Sequence, residues 1–362
     1  MCGINKLPLI SLSVPVYGTE STLPHLLDSL LGQTVFANSP PEKADCFYLE
    51  LIIINDGSPT GASLPEIVKL YKKYFKKIGV SVVLLEHRKN RGIFEARRTC
   101  VTASSAPFTL FADPDDTLPS DALQRLYQGA LASGGGSLSS AADIIHGKMA
   151  LYMPRLNSIG IEGEKAKACH VYDRLLEAVQ AVHPGRLSGT EVLENFLVAK
   201  EHSGFLCAKL FRTELLRRTY EKMPHTFCIM AEDLLLYFFV LQQQPSYYGI
   251  GDIVYNYNND TGITGDVQIT GLERWEKICS TASVFALIFS YIQENPIGEC
   301  CTDSLRRICN TYLAGQLRQL NACVVPQLQG KAYDMLCDYW GEDYVKRVEA
   351  AEDGSSVPNF RH

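Results

Sequence analysis

No segment of this chain has both the length and the apolarity of a bilayer span. The best apolar run, Ile278 to Ile292, carries Ser280, Thr281, Ser283 and Ser290 and falls short of the roughly 20 apolar residues a crossing needs. Positive charge is not in excess either: Lys+Arg 34 against Asp+Glu 40 gives a net charge of -6, so no basic surplus exists for a polyphosphate backbone and nucleic acid is not expected as a partner. Among the 12 cysteines there is no CxxC pair and no zinc-type Cys/His spacing. The thiols sit in apolar contexts such as RRTCVTA and GFLCAKL, which predicts reduced core cysteines and a cytoplasmic setting. The N-terminal MCGINKLPLISLSVPVYG lacks a basic segment followed by a long apolar core and is interrupted by prolines; a first strand is expected there, not a signal peptide. What remains is an ordinary globular composition, 46% apolar and 20% charged over 362 residues, enough to bury one large core and a second, smaller one.

Strand and helix periods alternate through the first 130 or so residues. Leu9 to Val16 is a strand; Leu23, Leu26, Leu27, Leu30 and Leu31 then recur at helical spacing behind Thr19, Ser21 and Thr22. Leu49 to Ile54 is a short β-branched run ending in the turn-rich NDGSPTG. Ser63 and Glu66 predict a capping box with Pro65 in the first turn, and Ile67, Tyr71, Tyr74, Phe75 and Ile78 are expected to line one face of the helix. Val80 to Leu85 and Pro107 to Ala112 complete four strands, with a short helix over Ile93, Ala96, Arg97, Cys100 and Val101 between them. This alternation predicts a mostly parallel sheet flanked by helices, with ligands beyond the carboxyl ends of its strands. After the helix Asp121 to Leu131, ASGGGSLSSAA is expected to be a flexible loop dividing two halves of one domain. Asp143 to Leu151, FLCAKLFRTELLRR, IMAEDLLLYFFVLQQQ and YYGIGDIVYNYNND add further strands and helices, and everything beyond Gly271 has a helical pattern.

Two polar clusters follow directly on strands: Asn55-Asp56-Gly57-Ser58, and the aspartates Asp113, Asp115 and Asp116 in LFADPDDTL. Crowded carboxylates call for a cation or a shared proton unless the loop is simply solvated. The strand followed by D-x-D, Thr and Leu is similar to the nucleophile motif of haloacid-dehalogenase-like phosphatases, which would make Asp113 a nucleophile. That reading also requires a later Gly-Asp-x-x-x-Asp, and after Gly251-Asp252 the corresponding position holds Asn256.

More of the chain is covered by a second likeness. SVPVYGTESTLPHLLDSLLGQT, ELIIINDGSPTG, NRGIFEARRTC, FADPDD, CAKLFRTELL, AEDLLLYFF and VYNYNNDTGIT, in that order, resemble the family-two glycosyltransferases of GT-A type. The resemblance implies a GT-A fold and an inverting transfer of sugar from a nucleotide-diphosphate donor, a UDP-sugar, to a hydroxyl of a carbohydrate or lipid-linked acceptor, with Mn²⁺ or Mg²⁺. It implies that Pro15, Val16, Tyr17, Asp56, Gly92, Arg97, Asp113 and Asp115 hold the donor, and that Asp115 and Asp116 approach the metal. Asp233, beside Glu232, falls at the family's catalytic base; Lys209 and Thr264 match segments near the acceptor or diphosphate. The helix N-terminus alone would account for Glu232 and Asp233, since acidic residues meet its dipole there. A sugar-nucleotide-binding protein without catalysis is the further alternative.

Residues 1-265 are expected to form the GT-A domain, 1-130 its nucleotide-sugar half and 141-265 its acceptor half, with 266-362 a helical C-terminal extension. Three roles are open to that extension: covering the acceptor, forming a homodimer, or resting peripherally on the inner face of a membrane that holds lipid-linked sugars.

Overall fold

The computed structural model describes residues 8–38, 48–59, 63–153, 162–259 and 268–354. Four β-strands alternate with helices as the periodicity predicts: β1 Ile10–Val16, α1 Leu23–Leu31, α2 Thr34–Asn38, β2 Leu49–Asn55, α3 Leu64–Lys77, β3 Val80–Glu86, α4 Ile93–Ala103, β4 Phe108–Phe111 and α5 Ala122–Ser133. Both β1 and β2 are buried along their whole length: β2 carries the continuous apolar run Leu51–Ile54, while the serines that alternate along β1, Ser11 and Ser13, are buried as well.

The second half adds β5 Ile144–Tyr152, α6 Glu162–Gln180, β6 Gly185–Ser188, α7 Thr190–Glu194, β7 Lys209–Arg212, α8 Thr213–Lys222, α9 Glu232–Leu241 and β8 Ser246–Asn258. All strands join one 8-stranded sheet in the order β3-β2-β1-β4-β7-β5-β8-β6. The β1–β2, β1–β4, β2–β3 and β5–β8 pairs are parallel, and β7 runs antiparallel to both β4 and β5. The antiparallel β7 joins the two parallel groups, so the carboxyl end of β4 meets the segments leading into β7 and α9. The stretch ASGGGSLSSAA, expected to be flexible, instead folds back on the end of α5: Gly136 N–H donates to the Leu131 carbonyl at 2.8 Å, and a 3-10 turn spans Leu138–Ser140.

At α3 the expected cap fails and the expected face holds except at Tyr74. Ser63 caps the helix by position but makes no side-chain cap hydrogen bond; Phe75 is buried, with Leu64 and Val68, and Ile67, Tyr71 and Ile78 pack partly buried against the same core, whereas Tyr74 is 50% exposed. Proline in the first turn already fixes the helix start, so the reciprocal cap is not required.

Five helices follow: α10 Leu272–Cys279, α11 Thr281–Glu294, α12 Glu299–Cys323, α13 Pro326–Trp340 and α14 Glu342–Gly354. Phe285 and Ile288 of α11 and Leu305 of α12 share a core with Leu235 and Phe238 of α9, while Trp275, Leu313, Leu317 and Leu336 form a separate one. With Leu234 to Leu241 all buried, α9 is therefore a central strut, not an amphipathic surface helix. Among the described residues no helix is long and apolar enough to cross a membrane, and ten cysteines are free thiols, most of them buried.

Candidate active site

The ends of β1, β2 and β4 open onto one large cleft of about 2960 Å³, lined on this side by Pro15, Val16, Tyr17, Asp56, Gly92 and Asp115. At β2 the chain must turn away at once because another backbone passes close by. A Cβ on Gly57 would lie 2.5 Å from the Lys89 carbonyl carbon, and its φ of +71° is a left-handed value that glycine adopts without cost. The D-G-S turn therefore brings Asp56 against the loop after β3. Its Oδ1 accepts from the backbone N–H of Arg91 at 3.0 Å and meets His87 Nδ1 at 2.6 Å, while His87 Nε2 meets Thr99 Oγ1 at 2.9 Å. Ser58 ties the same turn to β1, accepting from Gly18 N–H at 3.1 Å. His87 was not singled out from sequence; an imidazole five residues before a glycine turn carries no signature of its own.

Gly92 precedes α4 with a φ of +86°, and a Cβ there would meet the Cys228 carbonyl at 3.1 Å. The loop before α9 thus packs onto the start of α4, and Arg97, one turn further on, reaches across. The resemblance placed Arg97 against the nucleotide. Its guanidinium is 1% exposed and lies among carboxylates instead: Nη1 donates to Asp233 at 2.6 Å and to Glu232 at 3.2 Å, and Nη2 donates to Asp113 at 3.0 Å. Burial alone would lower the pKa of Arg97, but Asp233, Asp113 and Glu232 outweigh it and raise it well above its ordinary value.

One cation facing three carboxylates leaves negative charge in excess. Burial, then the Asp233 charge, pushes Glu232 up to about 8 against the opposing pull of Arg97, so Glu232 retains its proton at neutral pH. Burial also raises Asp113, with Arg97 opposing and Asp233 and Asp115 adding to the rise. Asp233 Oδ2 accepts from the Leu206 N–H at 3.3 Å. Backbone strain brackets the cluster: Ala231, immediately before Glu232, and Ala208, immediately after Cys207, adopt left-handed φ values of 59° and 62°, a conformation that costs a non-glycine residue of order 1–3 kcal/mol and persists only where the surroundings impose it.

The remaining expected residues separate. Asp115 lines the cleft beside Asp113 and Pro114. Asp116 is 2% exposed and turned inward: Tyr255 Oη donates to it at 2.7 Å, as does Asn258 N–H, also at 2.7 Å. Desolvation pushes Asp116 up to about 8, and its oxygens pin the β4 turn to β8. Lys209 is fully buried, donating to the Phe205 carbonyl with its ammonium 4.8 Å from the centre of the Tyr237 ring. Burial lowers it to about 7, with Asp233 opposing, and it does not border the cleft. His202 is buried and meets Asn195 Oδ1 at 2.6 Å and Tyr237 Oη at 2.8 Å. Thr264 lies outside the described residues. The phosphatase reading needs Asp252 beside Asp113; Asp252 is paired with Arg125 and is absent from the cleft wall.

Comparison with known proteins gives related sequences over the first half of the chain and a shared fold over nearly all of it. The model of the family described as glycosyl transferase family 2 matches residues 11–171. The uncharacterized glycosyltransferase EpsJ of Bacillus subtilis is 34% identical over 124 residues, covering 34% of this chain and 31% of its own length. The poly(ribitol-phosphate) beta-glucosyltransferase of Bacillus spizizenii is 35% identical over 119 residues, 33% of this chain and 16% of its length; the chain thus spans about a third or less of these curated relatives. Among solved structures, S. aureus TarS 1–349 in complex with UDP-GlcNAc superposes with a TM-score of 0.52 at 14% identity, covering 97% of this chain and 93% of that one. The mannosyltransferase PcManGT of Pyrobaculum calidifontis, in complex with GDP-Man and Mn²⁺, gives a TM-score of 0.50 at 15% identity over 97% and 89%. The shared fold is GT-A.

Proposed function

From a chain whose residues 11–171 match the model of glycosyl transferase family 2, we propose an inverting glycosyltransferase that moves a sugar from a nucleotide-diphosphate donor, a UDP-sugar, to a hydroxyl of a polysaccharide, glycolipid or other glycoconjugate. The observation that carries this reading is Arg97, whose guanidinium joins Asp113 on the strand-end side of the cleft to Asp233 on the other.

On this reading Pro15, Val16 and Tyr17 border the base, and Asp56, held by His87 and Arg91, accepts from the N3–H of uracil with its remaining lone pairs. Asp115, which lines the cleft, is our candidate to hold Mn²⁺ or Mg²⁺; Asp116 is turned inward to Tyr255 and Asn258, and Asp113 faces Arg97. A single carboxylate completed by donor phosphate oxygens suits such hard ions. When bound, the ion would offset the charge gathering on the departing diphosphate. Asp233 takes the proton of the acceptor hydroxyl as that oxygen bonds to the anomeric carbon and the carbon–phosphate oxygen bond on the opposite face breaks, releasing the nucleoside diphosphate. Glu232, keeping its own proton, limits the negative charge beside that base. We assign donor binding to residues 1-130 and acceptor binding to 141-265, with the extension 266-362 completing the acceptor side.

Nucleotide-dependent thermal stability tests this reading. UDP with Mn²⁺ should raise the melting temperature, by about 2.7 kcal/mol of stabilisation at a hundredfold excess over Kd, and Asp115→Asn should lose the Mn²⁺-dependent part. Absence of a shift with UDP, with or without Mn²⁺, would overturn it.

A further inference from the structure

The same cleft continues from the carboxylates along the helices that follow Gly271, and its wall there differs in charge from the rest of the chain. Among the described residues, α10 to α14 contribute Lys277, Arg306, Arg307, Arg318 and Arg347 to the lining, and none of the acidic residues on those helices lines it. This is a protein of net charge -6, so an acid-free wall reflects segregation, not composition. Across from it, α6 supplies both signs, with Asp173, Glu177 and Arg174.

Two further observations tie this wall to the reaction centre and to an anion. Tyr312 of α12 lies close enough to Glu232 and Asp233 that their charges, after burial, raise its hydroxyl to about 12, so the extension reaches the proposed base. Lys200, with a left-handed φ of 56° at the end of the π turn Asn195–Ala199, lines the same cleft. Partial burial and then the Arg307 charge lower its amine, so Lys200 adds to the positive field of the wall. Of the wall's guanidiniums, Arg306 pairs with Asp303 at 2.9 Å on its own helix, Arg307 donates to Ser304 Oγ at 2.8 Å, and Arg347 stands 5.6 Å from the centre of the Tyr344 ring. Arginine forks beside the aromatic rings of Tyr344 and Trp340 suit phosphate groups on a sugar or polyol chain.

We propose that α10 to α14 form the acceptor subsite of the cleft and that the acceptor carries phosphate, with Lys200, Arg307 and Arg347 as its anion contacts and Tyr312 beside the attacking hydroxyl. This rests on the glycosyltransferase reading and adds the chemical class of its acceptor.

The test uses the full chain with its donor site filled by UDP and Mn²⁺, so that phosphate on a probe cannot compete there, and scores the UDP-induced thermal shift first. Calorimetry then compares a synthetic glycerol-phosphate oligomer, a short-chain polyprenyl pyrophosphate and a neutral glucan oligomer. A phosphate-bearing probe should bind at least about tenfold tighter than the neutral one, weakening as salt rises; which of the two phosphate probes is preferred tells a polymeric from a lipid-linked acceptor. Arg307→Gln with Arg347→Gln should lose about tenfold of that affinity, and Arg307→Lys with Arg347→Lys should recover part of it, the UDP shift reporting that each variant is folded. Equal binding of the neutral probe, no binding of any probe, or full affinity in the glutamine variant would overturn the inference while a UDP shift leaves the transferase reading standing. No UDP shift in the parent protein would instead remove the reading beneath it.

Discussion

The two sides of the cleft are built in contrasting ways. On the donor side, each polar residue sits at the end of a buried parallel strand, and the constraint is local: Asp56 is placed by Gly57, and Gly57 is required by the Lys89 backbone 2.5 Å from where its Cβ would be. On the other side, Asp233, Leu206, Tyr312 and the arginines of α12 and α14 come from segments far apart in the chain, brought together by apolar packing around the buried α9. A strand-end turn leaves a readable string of residues. A wall assembled by packing leaves none, and so the family match stops at residue 171, whereas the fold likeness extends over 97% of the chain.

Arg97 is where the two constructions meet, and removing it gives the largest expected effect on stability. Arg97→Met leaves Asp113, Glu232 and Asp233 around an apolar side chain and should cost about 3–5 kcal/mol in urea unfolding, the range for breaking a buried ion pair from one side. A loss below about 1 kcal/mol would mean that the halves are joined by packing alone. Gly57→Ala confines the damage to the donor side: the left-handed φ and the 2.5 Å approach predict a loss of about 1–3 kcal/mol together with weaker UDP binding. Unchanged UDP affinity would show that the turn does not position Asp56 for the nucleotide.

A smaller effect sharpens the comparison through pH. The folded pKa of Glu232, pushed up to about 8, lies above the ordinary carboxyl value, so between roughly pH 4.3 and 8 the native state holds a proton the unfolded chain has released. Stability therefore falls as pH rises through that window, and Glu232→Gln should gain on the parent between pH 5 and pH 8. Guanidinium unfolding at both values measures it; an advantage of the glutamine variant that shrinks from pH 5 to pH 8 would reverse the assignment of the retained proton.

The first four strands, the helices between them and the cleft residues Pro15, Val16, Tyr17, Asp56, Gly92 and Asp115 were legible because period and turn chemistry act within a few residues. Direction was not. Asp113, Asp115 and Asp116 read alike in sequence, but the turn after β4 ends the strand alternation and sends Asp116 inward to Tyr255. Arg97 and Lys209 could be matched to motifs, yet whether a cation faces solvent or carboxylates depends on partners such as Asp233 more than a hundred residues away from Arg97. The helical extension was legible as helix only, since helical period does not tell which of its arginines border the cleft.

The central claim is that Asp233 deprotonates the acceptor across a donor held by the strand-end loops. Single-turnover transfer by Asp233→Asn, measured beside UDP binding by the same preparation, tests it directly. The account predicts a rate lowered by about 10²–10⁴ with UDP bound as tightly as in the parent; transfer at the parental rate by the asparagine variant would contradict it.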